Sequence, residues 1–418
     1  MNILILHRIP YPKIDYHRGI DHERHEVTYF GVKGSLATLP GALRCKAVER
    51  PGIASAFEEA RQWLSENPRH FDRIISLSEY ELLDAANLRG WLAVAGATVD
   101  QVRLARDKIL MKEAVSRAGI RVPRFLSLPE FVASGGRVSW SADTVLKPHS
   151  GASSEDVVVL ANPKTALSAI VSRCTGAARL DSGQSNLSEY EVEEFISGPI
   201  LHFDGLVHEG TVLTITASEY VGNCLAFANG APLGSYHYPL CNEERAWVQR
   251  ALEATGIRNG SFHLEAIRHG FDMVFLEVAN RVGGADVVRT FELATGVHLP
   301  SQELRILIGE YADLSCRTSS TGLWHGWFVY PGHHQKDRTH RGLDGVEFFR
   351  TSPSVIHWHE LKTGASLPSH VTYQAHEVPL AGVIATTGAE KTREWIDRLF
   401  ASVSCKTEIL SCVAAEGS

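Results

Sequence analysis

Residues 262–284 have the sequence FHLEAIRHGFDMVFLEVANRVGG, and this stretch decides the fold. Two short apolar runs lie on either side of a polar turn at 268–272, and each run carries one glutamate, Glu265 or Glu277. The alternation of apolar side chains around each glutamate predicts the two strands of a β-hairpin. On such a hairpin, Glu265 and Glu277 lie side by side on one face of the sheet.

Two adjacent carboxylates repel each other and are costly to bury. A divalent cation between them removes that cost, and carboxylate oxygens are ligands that suit Mg²⁺. Arg281 and the pair Gly283 and Gly284 follow the second glutamate. A cation site, a fixed positive charge and a bare backbone loop are the parts that stabilise phosphoryl transfer. The alternative is an exposed hairpin whose glutamates face water, but the combination favours a metal site.

The composition excludes several classes of protein. The chain has 418 residues, enough for two or three domains, and 44% of them are hydrophobic, which argues against global disorder. A formal net charge of −7 without a basic block argues against a nucleic-acid binder. No apolar run approaches the roughly 20 residues of a membrane span. Seven scattered cysteines without a CxxC spacing fit reduced thiols, so we expect a cytoplasmic protein.

Residues 1–100 alternate between strand and helix patterns, which predicts a parallel, doubly wound α/β sheet. Ser78 and Glu81 follow the predicted strand 71–77 with the spacing of a capping box, so Ser78 is expected to begin a helix. Glu79 lies at the carboxyl end of that strand, where ligands usually bind. It either contacts a substrate or complements the helix dipole, and both interpretations stay open.

Neither GxxxxGK[ST] nor GxGxxG occurs, so a bound nucleotide would use neither a P-loop nor a Rossmann turn. A strand pattern at 143–148 carries Lys147, and the small-residue loop 149–156 follows it. Such a loop exposes many N–H groups and can fold over phosphates as a flap, with Lys147 pairing with their charge. The alternative is a plain hairpin loop. Lys108, in a helical pattern at 100–119, is on its own an ordinary solvated lysine.

The rest of the chain mixes strands and helices. Residues 190–285 are expected to form one antiparallel sheet with a helix, and residues 286–312 to be helical. Short strands are predicted at 326–330, 346–349 and 354–359, and a closing helix at 389–400.

The order of these parts resembles the ATP-grasp superfamily, and more narrowly its carboxylate–amine ligases of the amino-acid-ligase type. The segments that carry the resemblance are 106–112 with 119–123, 145–148 with 151–154, 192–198, and the hairpin with Arg281, Gly283 and Gly284. The resemblance implies an ATP-grasp fold, α/β with an α+β central part. Its implied divisions are an N-terminal parallel α/β domain at 1–100, a central lid region at 101–198, and a C-terminal domain at 199–418. Residues 322–388 more loosely resemble the extra subdomain of dipeptide-forming ligases.

The resemblance also implies how ATP is bound. Lys108 and Lys147 contact its phosphates. The flap over them consists of Ser150, Gly151, Ala152, Ser153 and Ser154. The nucleoside is held by Glu193, Glu194, Phe195 and Ile196, where the backbone of Glu194 and Ile196 reads the adenine edge and Glu193 or a neighbour holds ribose.

By the same resemblance, Glu265 and Glu277 bind Mg²⁺, for which Mn²⁺ can substitute. The family usually places an asparagine two residues after the second glutamate as a further metal ligand. Here that position holds Ala279, and we expect Asn280, one residue later, to take part. The expected catalytic residues are Arg281 and Lys147, and the expected substrate contacts are Glu79, Arg281, Gly283 and Gly284.

The implied reaction joins a small carboxylic acid, such as an amino acid, to an amine through an acyl phosphate. One alternative is a ligase that uses a carrier protein as acceptor, and another is an ATP-binding protein without turnover. Either the amine arrives neutral or a histidine such as His202 or His263 takes its proton, and the sequence leaves this open. The family-level expectation is a homodimer, without nucleic-acid or membrane partners.

Overall fold

The computed structural model describes residues 1–151, 154–311 and 322–406. The N-terminal part is a parallel sheet with the strand order β3-β2-β1-β4, as predicted from the alternating pattern. Its strands are β1 (Asn2–Leu6), β2 (Glu26–Gly31), β3 (Lys46–Glu49) and β4 (Arg73–Ile75). Its helices are α1 (Tyr11–Ile14), α2 (Lys33–Leu36), α3 (Ala56–Glu66) and α4 (Leu82–Leu92).

Strand β1 is apolar without interruption because both of its faces are buried. Ile3 and Ile5 pack in one hydrophobic cluster with Tyr29, whereas Leu4 and Leu6 pack in another with helices α3 and α4. The sheet therefore carries helices on both faces, and the carboxyl ends of its strands point at the rest of the molecule.

The predicted capping box at Ser78 is wrong. Residues 79–81 form a 3₁₀ turn, α4 begins only at Leu82, and the Ser78 side chain caps no helix. The Glu81 carboxylate accepts a hydrogen bond from Arg50 Nη2 at 2.7 Å instead of turning back on the chain. A buried ion pair with a residue distant in sequence has thus displaced the local cap.

The predicted helix at 100–119 is two helices, α5 (Val99–Leu104) and α6 (Lys108–Arg117). The break occurs because Asp107 caps α6, accepting hydrogen bonds from the backbone N–H groups of Ile109 and Leu110. Lys108 is therefore the first residue of a helix, a position that directs it toward the next sheet.

That central sheet is antiparallel and has the strand order β5-β8-β6-β7. Its strands are β5 (Phe125–Ser127), β6 (Thr144–Pro148), β7 (Val158–Leu160) and β8 (Tyr190–Glu194), and its helices are α7 (Leu128–Ala133), α8 (Asn162–Ser172) and α9 (Ala178–Asp181). The loop predicted as a flap connects β6 to β7.

The largest sheet has the order β13-β12-β9-β10-β11-β14-β17-β16, with every neighbouring pair antiparallel. The strands of this part are β9 (Ile200–His208), β10 (Thr211–Val221), β11 (Leu233–Tyr238), β12 (Gly260–His269), β13 (Asp272–Ala279), β14 (Trp324–Tyr330), β15 (Leu343–Asp344), β16 (Val355–Glu360), β17 (Leu380–Thr386) and β18 (Ser404–Cys405); β15 pairs with β18 outside the large sheet. The helices are α10 (Cys224–Ala228), α11 (Asn242–Ala254), α12 (Val287–Thr295), α13 (Leu299–Ile308), α14 (Glu347–Arg350) and α15 (Ala389–Ser402).

The strand predicted at 346–349 is wrong, because this segment contributes α14. Val346 and Phe349 are both buried three residues apart, which is the spacing of a helical turn, while Phe348 between them is exposed. Phe349 packs edge-on against Trp395 of α15, with ring centroids 5.3 Å apart.

The strands of the predicted extra subdomain, β14, β17 and β16, continue the sheet that begins with the hairpin β12–β13. The division of the chain at residues 100 and 198 stays a prediction. Among the described residues, no helix is long and apolar enough to cross a bilayer.

Candidate active site

The hairpin that carries Glu265 and Glu277 forms as predicted. Strands β12 and β13 pair in antiparallel register, and Glu265 lies directly opposite Glu277. The register shifts by one residue between Glu265 and Ala266, which marks a β-bulge next to the acidic pair. Both glutamates line a cavity of about 660 Å³ between the central sheet and the large sheet. This volume lies within the range of roughly 300–1,000 Å³ that is usual for small-molecule sites.

Most of the predicted nucleotide-binding residues line the same cavity: Lys108, Lys147, Gly151, Ser154, Glu193, Glu194, Phe195 and Ile196. Ser150 does not line it, and its hydroxyl lies 3.1 Å from His149 Nδ1. Ala152 and Ser153 lie outside the described residues. Motifs that lie far apart in the sequence, on the central sheet and on the large sheet, therefore line the same cavity.

Lys108 connects the flap to the acidic hairpin. Its Nζ lies 3.0 Å from Glu277 Oε2 and donates a hydrogen bond to the Gly151 carbonyl at 3.0 Å. Its backbone N–H donates to the His149 carbonyl at 2.9 Å. A cationic group thus contacts Glu277, and the partner carboxylate of Glu265 lies directly opposite it on the hairpin. The residues fit the Mg²⁺ that the resemblance implies.

Four buried charged side chains meet where α6 packs on the central sheet, and we call them the lysine–glutamate cluster: Lys112, Lys147, Glu191 and Glu193. Lys112 Nζ lies 2.8 Å from Glu191 Oε1 and 2.6 Å from Glu193 Oε2, and Lys147 Nζ lies 2.6 Å from Glu193 Oε1. Lys112 also lies over the ring of Phe125, 4.4 Å from its centroid. The cluster holds the Lys147 ammonium at the wall of the cavity.

Electrostatics favour the charged forms of Glu193 and Lys147. Burial raises the pKa of Glu193, but the ammonium groups of Lys112 and Lys147 outweigh it and lower the pKa to about 2. Burial lowers the pKa of Lys147, and the carboxylates of Glu193, Glu191 and Glu277 outweigh it, so that the pKa lies above its ordinary value. Both oxygens of Glu193 are already engaged, which gives no support to a contact between this side chain and ribose.

Sequence reasoning missed Lys112 and Glu191. Lys112 follows Lys108 by four residues, so both project from the same face of α6. Glu191 and Glu193 alternate on β8, so both project from the same face of that strand. These spacings were visible, but only the packing of α6 on the central sheet brings the two pairs together.

The large sheet contains a second buried cluster, His202, Asp204, His263 and Glu265, which we call the histidine–aspartate cluster. Asp204 lies between the two imidazoles, with Oδ2 2.5 Å from His202 Nδ1 and Oδ1 2.7 Å from His263 Nδ1. His263 Nε2 in turn lies 3.3 Å from Glu265 Oε1, and Tyr220 donates to the same oxygen at 2.8 Å. A continuous chain of polar contacts therefore leads from the sheet interior to a predicted metal ligand.

The charges in this cluster depend on one another. Burial lowers the pKa of His263, but the Asp204 carboxylate outweighs it and raises the pKa to about 10. Burial raises the pKa of Asp204, and the two imidazoles outweigh it and hold the pKa below its ordinary value. The ligand atoms of His202, Asp204 and His263 lie close enough to hold a metal ion. Direct contacts of 2.5 and 2.7 Å already satisfy them, so the cluster is complete without one.

Asn280 does not lie beside the acidic pair. Its Nδ2 donates to the carbonyls of Ser261 at 2.8 Å and Asn259 at 3.2 Å, and it lines a separate cavity with Glu303. The reason is the alternation of the strand, which places residue 279 rather than 280 on the face of Glu277. Ala279 is small, and the residue that faces it across the hairpin is His263.

Arg281 is held by the residue that was expected to contact substrate. Its Nε donates to Glu79 Oε2 at 2.5 Å, and Arg106 donates to the other oxygen of Glu79. Burial raises the pKa of Glu79, but the guanidinium groups of Arg281 and Arg106 outweigh it and lower the pKa to about 2. The geometry gives Glu79 the task of orienting Arg281, and its predicted contact with substrate stays a prediction.

Gly283 has a local reason to be glycine. A Cβ at this position would lie 2.8 Å from His263 Nδ1 and 2.9 Å from Asp204 Oδ1, so any side chain would collide with the histidine–aspartate cluster. Gly284 is exposed, and its backbone lies beside the ring of Tyr373. The glycine pair thus lets the backbone run directly over the buried cluster toward Arg281.

No family model matches the chain. An L-arginine-specific L-amino acid ligase from Bacillus subtilis is 25% identical over 271 residues, which cover 62% of this chain and 63% of that enzyme. The match therefore spans less than two thirds of the length of this relative.

Solved structures cover almost the whole chain. The L-amino acid ligase from Bacillus licheniformis gives a TM-score of 0.70 at 19% identity, over 97% of this chain and 98% of that one. The biotin carboxylase domain of the Hydrogenobacter thermophilus 2-oxoglutarate carboxylase, solved with MgADP, gives a TM-score of 0.63 at 13% identity, over 97% and 90% of the two chains. The chain therefore has the ATP-grasp fold, and L-amino acid ligases are among the proteins that it resembles in both sequence and structure.

Proposed function

We propose that this protein is an ATP-dependent carboxylate–amine ligase that forms an amide bond through an acyl phosphate. The observation that carries the proposal is the direct pairing of Glu265 with Glu277 on the wall of a cavity that Lys108 and Lys147 also line. Two carboxylates and two ammonium groups around one space match the divalent cation and the phosphates of a bound nucleotide.

A carboxylate is a poor electrophile because an oxide would have to leave. Bound MgATP supplies a phosphoryl group, so that phosphate becomes the leaving group instead. Glu265 and Glu277 would hold the cation, while Lys108 and Lys147 would neutralise phosphate oxygens. Lys147 is suited to this task because the lysine–glutamate cluster fixes its ammonium group and keeps it charged.

Arg281 would bind the carboxyl group that is activated. Its guanidinium group is oriented by Glu79, it lies just after the end of β13, which carries Glu277, and the charges of Glu277 and Glu265 act on it. The Gly283–Gly284 backbone beside it offers N–H groups with no side chain in the way. Closure of the flap that contains Gly151 and Ser154 would exclude water, which would otherwise hydrolyse an acyl phosphate.

We further propose that the acid is an amino acid and that the amine is a second amino acid or a related small amine. The support is that the Bacillus subtilis and Bacillus licheniformis relatives are both L-amino acid ligases. No base is assigned to the amine, because the imidazole nitrogens of His202 and His263 are engaged by Asp204, Ser235 and Glu265.

A phosphate-release assay across pairs of amino acids with MgATP tests the proposal, and mass spectrometry of the products identifies the amide. Release that needs both an acid and an amine supports the ligase. Release that needs an added carrier protein would indicate the carrier-loading alternative. Nucleotide binding without phosphate release across the whole panel would contradict the proposal and favour a non-catalytic ATP-binding protein.

Two substitutions tie the activity to this site. Glu277→Gln and Arg281→Ala should both abolish ligation while the folded structure persists, as judged by circular dichroism and thermal unfolding. Asp272→Asn is the matched control, because Asp272 lies on the same strand as Glu277 but pairs with Arg121 at the exposed end of the hairpin. Undiminished turnover in Glu277→Gln or Arg281→Ala would show that the site is assigned wrongly.

Three finer proposals accompany the main one. Mn²⁺ should replace Mg²⁺, since carboxylate ligands suit both ions. The protein is proposed to work in the cytoplasm, which fits its described cysteines, all of them free thiols. A homodimer is proposed from the family resemblance, and light scattering of the purified protein tests it.

A further inference from the structure

The segment between β16 and β17, residues 361–379, belongs to the extra subdomain and contacts α10, whose residues Cys224, Leu225 and Ala226 line the candidate active-site cavity. It brings Tyr373 against the body of the ligase fold. The Tyr373 ring stacks on Phe227 of α10, with centroids 4.7 Å apart and planes 18° from parallel. On another side, a Cβ built at Gly284 would lie 3.9 Å from Tyr373 Cδ2, so the ring lies beside the glycine pair that follows Arg281.

The residues around Tyr373 fix it in place. Thr372 is buried, and its hydroxyl donates to Glu377 Oε2 at 2.6 Å and accepts from the Gln374 backbone N–H at 3.2 Å. Val371 and Ala375 pack on the same hydrophobic cluster as the Tyr373 ring. The ring is therefore held by a structured turn and by Phe227, rather than lying loosely on the surface.

The hydroxyl of Tyr373 differs from the ring in its contacts. Among the residues that the structure describes, it makes no hydrogen bond. The ionisable groups that act on this phenol are Cys224, Glu265 and Arg281, which belong to α10, to β12 and to the loop after β13. The Tyr373 ring therefore lies between α10, which lines the cavity, and the glycine pair that follows Arg281.

The charge state of the phenol suits a hydrogen-bond donor. Burial, Cys224 and Glu265 raise the pKa of Tyr373 well above its ordinary value, and Arg281 only partly opposes them. A tyrosine hydroxyl with the ordinary pKa of about 10 already keeps its proton at neutral pH. A neutral phenol next to an arginine can donate to an anionic oxygen that the arginine also binds.

We propose that Tyr373 is a further active-site residue, whose hydroxyl donates a hydrogen bond to the carboxyl group held by Arg281. This inference rests on the proposed ligase function. It gives the extra subdomain a direct part in the reaction, because the residue that completes the carboxyl site comes from the segment between β16 and β17.

The test is the Tyr373→Phe variant, which removes the hydroxyl and keeps the stack on Phe227. We expect kcat for amide formation to fall about 10- to 100-fold, the usual effect of losing a hydrogen bond to a charged group. The KM for MgATP and the Tm should stay unchanged. The matched control is Tyr330→Phe, because Tyr330 lies in the same subdomain and its hydroxyl donates to the Leu399 carbonyl of α15. This control should lower the Tm and leave kcat unchanged.

Tyr373→Leu separates the ring from the hydroxyl, since it removes both. If Tyr373→Phe turns over within twofold of the wild type, the inference is overturned, even if Tyr373→Leu is impaired, since the ring then only packs. That outcome would leave the ligase function intact. If the wild type forms no amide with any amino-acid pair, the proposed function fails and the role of Tyr373 fails with it.

Discussion

The molecule buries charge in two places beside one cavity, and the two clusters are built differently. The lysine–glutamate cluster pairs two lysine ammonium groups with two glutamate carboxylates. It holds Lys147 at the side of the cavity assigned to phosphates. The histidine–aspartate cluster pairs Asp204 with two imidazoles, and one of these, His263, contacts Glu265. In the first cluster the pKa of Glu193 is lowered to about 2 and that of Lys147 is raised, whereas in the second the pKa of His263 is raised to about 10. The two clusters should therefore differ in how their charge state, and with it the stability of the fold, depends on pH.

Substituting Lys112 tests how much the lysine–glutamate cluster contributes to the free energy of unfolding. Lys112→Met leaves Glu191 and Glu193 with Lys147 as their remaining ammonium partner. The free energy of unfolding should fall by about 3–5 kcal/mol, since breaking a buried ion pair leaves an uncompensated charge. Urea denaturation measures this, with the exposed Lys164→Met as control. A change below about 1 kcal/mol would show that the cluster does not stabilise the fold.

Substituting Lys147 tests whether the same cluster also serves the reaction. Lys147→Met should reduce kcat about 100- to 1,000-fold, the usual cost of removing one group that stabilises transition-state charge. The loss of stability should be smaller than for Lys112→Met, because Lys147 lines the cavity and water can solvate Glu193 there. Steady-state phosphate release and urea denaturation measure the two effects. Equal losses of stability in the two variants would remove the distinction between them.

Substituting Asp204 tests the second cluster. Asp204→Asn removes the carboxylate that both imidazoles contact, so His263 loses its fixed orientation toward Glu265. The affinity for Mg²⁺ in the presence of ADP should fall about 10- to 100-fold, as is usual for groups that orient metal ligands. Isothermal titration calorimetry measures it, and Asp272→Asn should bind Mg²⁺ as the wild type does. Unchanged affinity in Asp204→Asn would confine the cluster to a packing role.

The pH dependence of stability should distinguish the clusters most finely. The pKa of His263 is raised from 6.5 to about 10, so its stabilising contribution is complete below pH 6.5 and is lost as the pH rises toward 10. The free energy of unfolding, measured in EDTA, should therefore fall above pH 7, by at most about 1.4 kcal/mol per pH unit. Asp204→Asn should show a flatter profile. Parallel profiles for the two proteins would contradict the assignment.

The hairpin could be predicted from the sequence because local alternation alone places Glu265 opposite Glu277. Lys147, near a strand end, also follows from a short motif, whereas the helix start at Lys108 was not predicted because the pattern indicated one helix over 100–119. Lys112 could not be assigned, because its partners Glu191 and Glu193 lie about 80 residues away and only packing brings them together.

The errors also have physical causes. The capping box at Ser78 failed because a buried arginine, Arg50, attracts the Glu81 carboxylate more strongly than a local backbone N–H does. The prediction for Asn280 followed the family's residue type. The alternation of the strand turns position 280 away from the face that carries Glu277. The segment 346–349 has residues typical of a strand, but the burial of Val346 and Phe349 selects a helical turn.

One consequence concerns how the molecule can move. The hairpin that carries Glu277 and the strands of the extra subdomain belong to a single hydrogen-bonded sheet, from β13 at one edge to β16 at the other. Swinging one against the other would require breaking a ladder of backbone bonds. Among the described residues, the four-stranded sheet of β5 to β8 pairs with no strand of the large sheet, so admission of the proposed nucleotide should depend on its displacement. Substitutions in the segment 361–379 should then alter the choice of acid without changing how nucleotide is admitted.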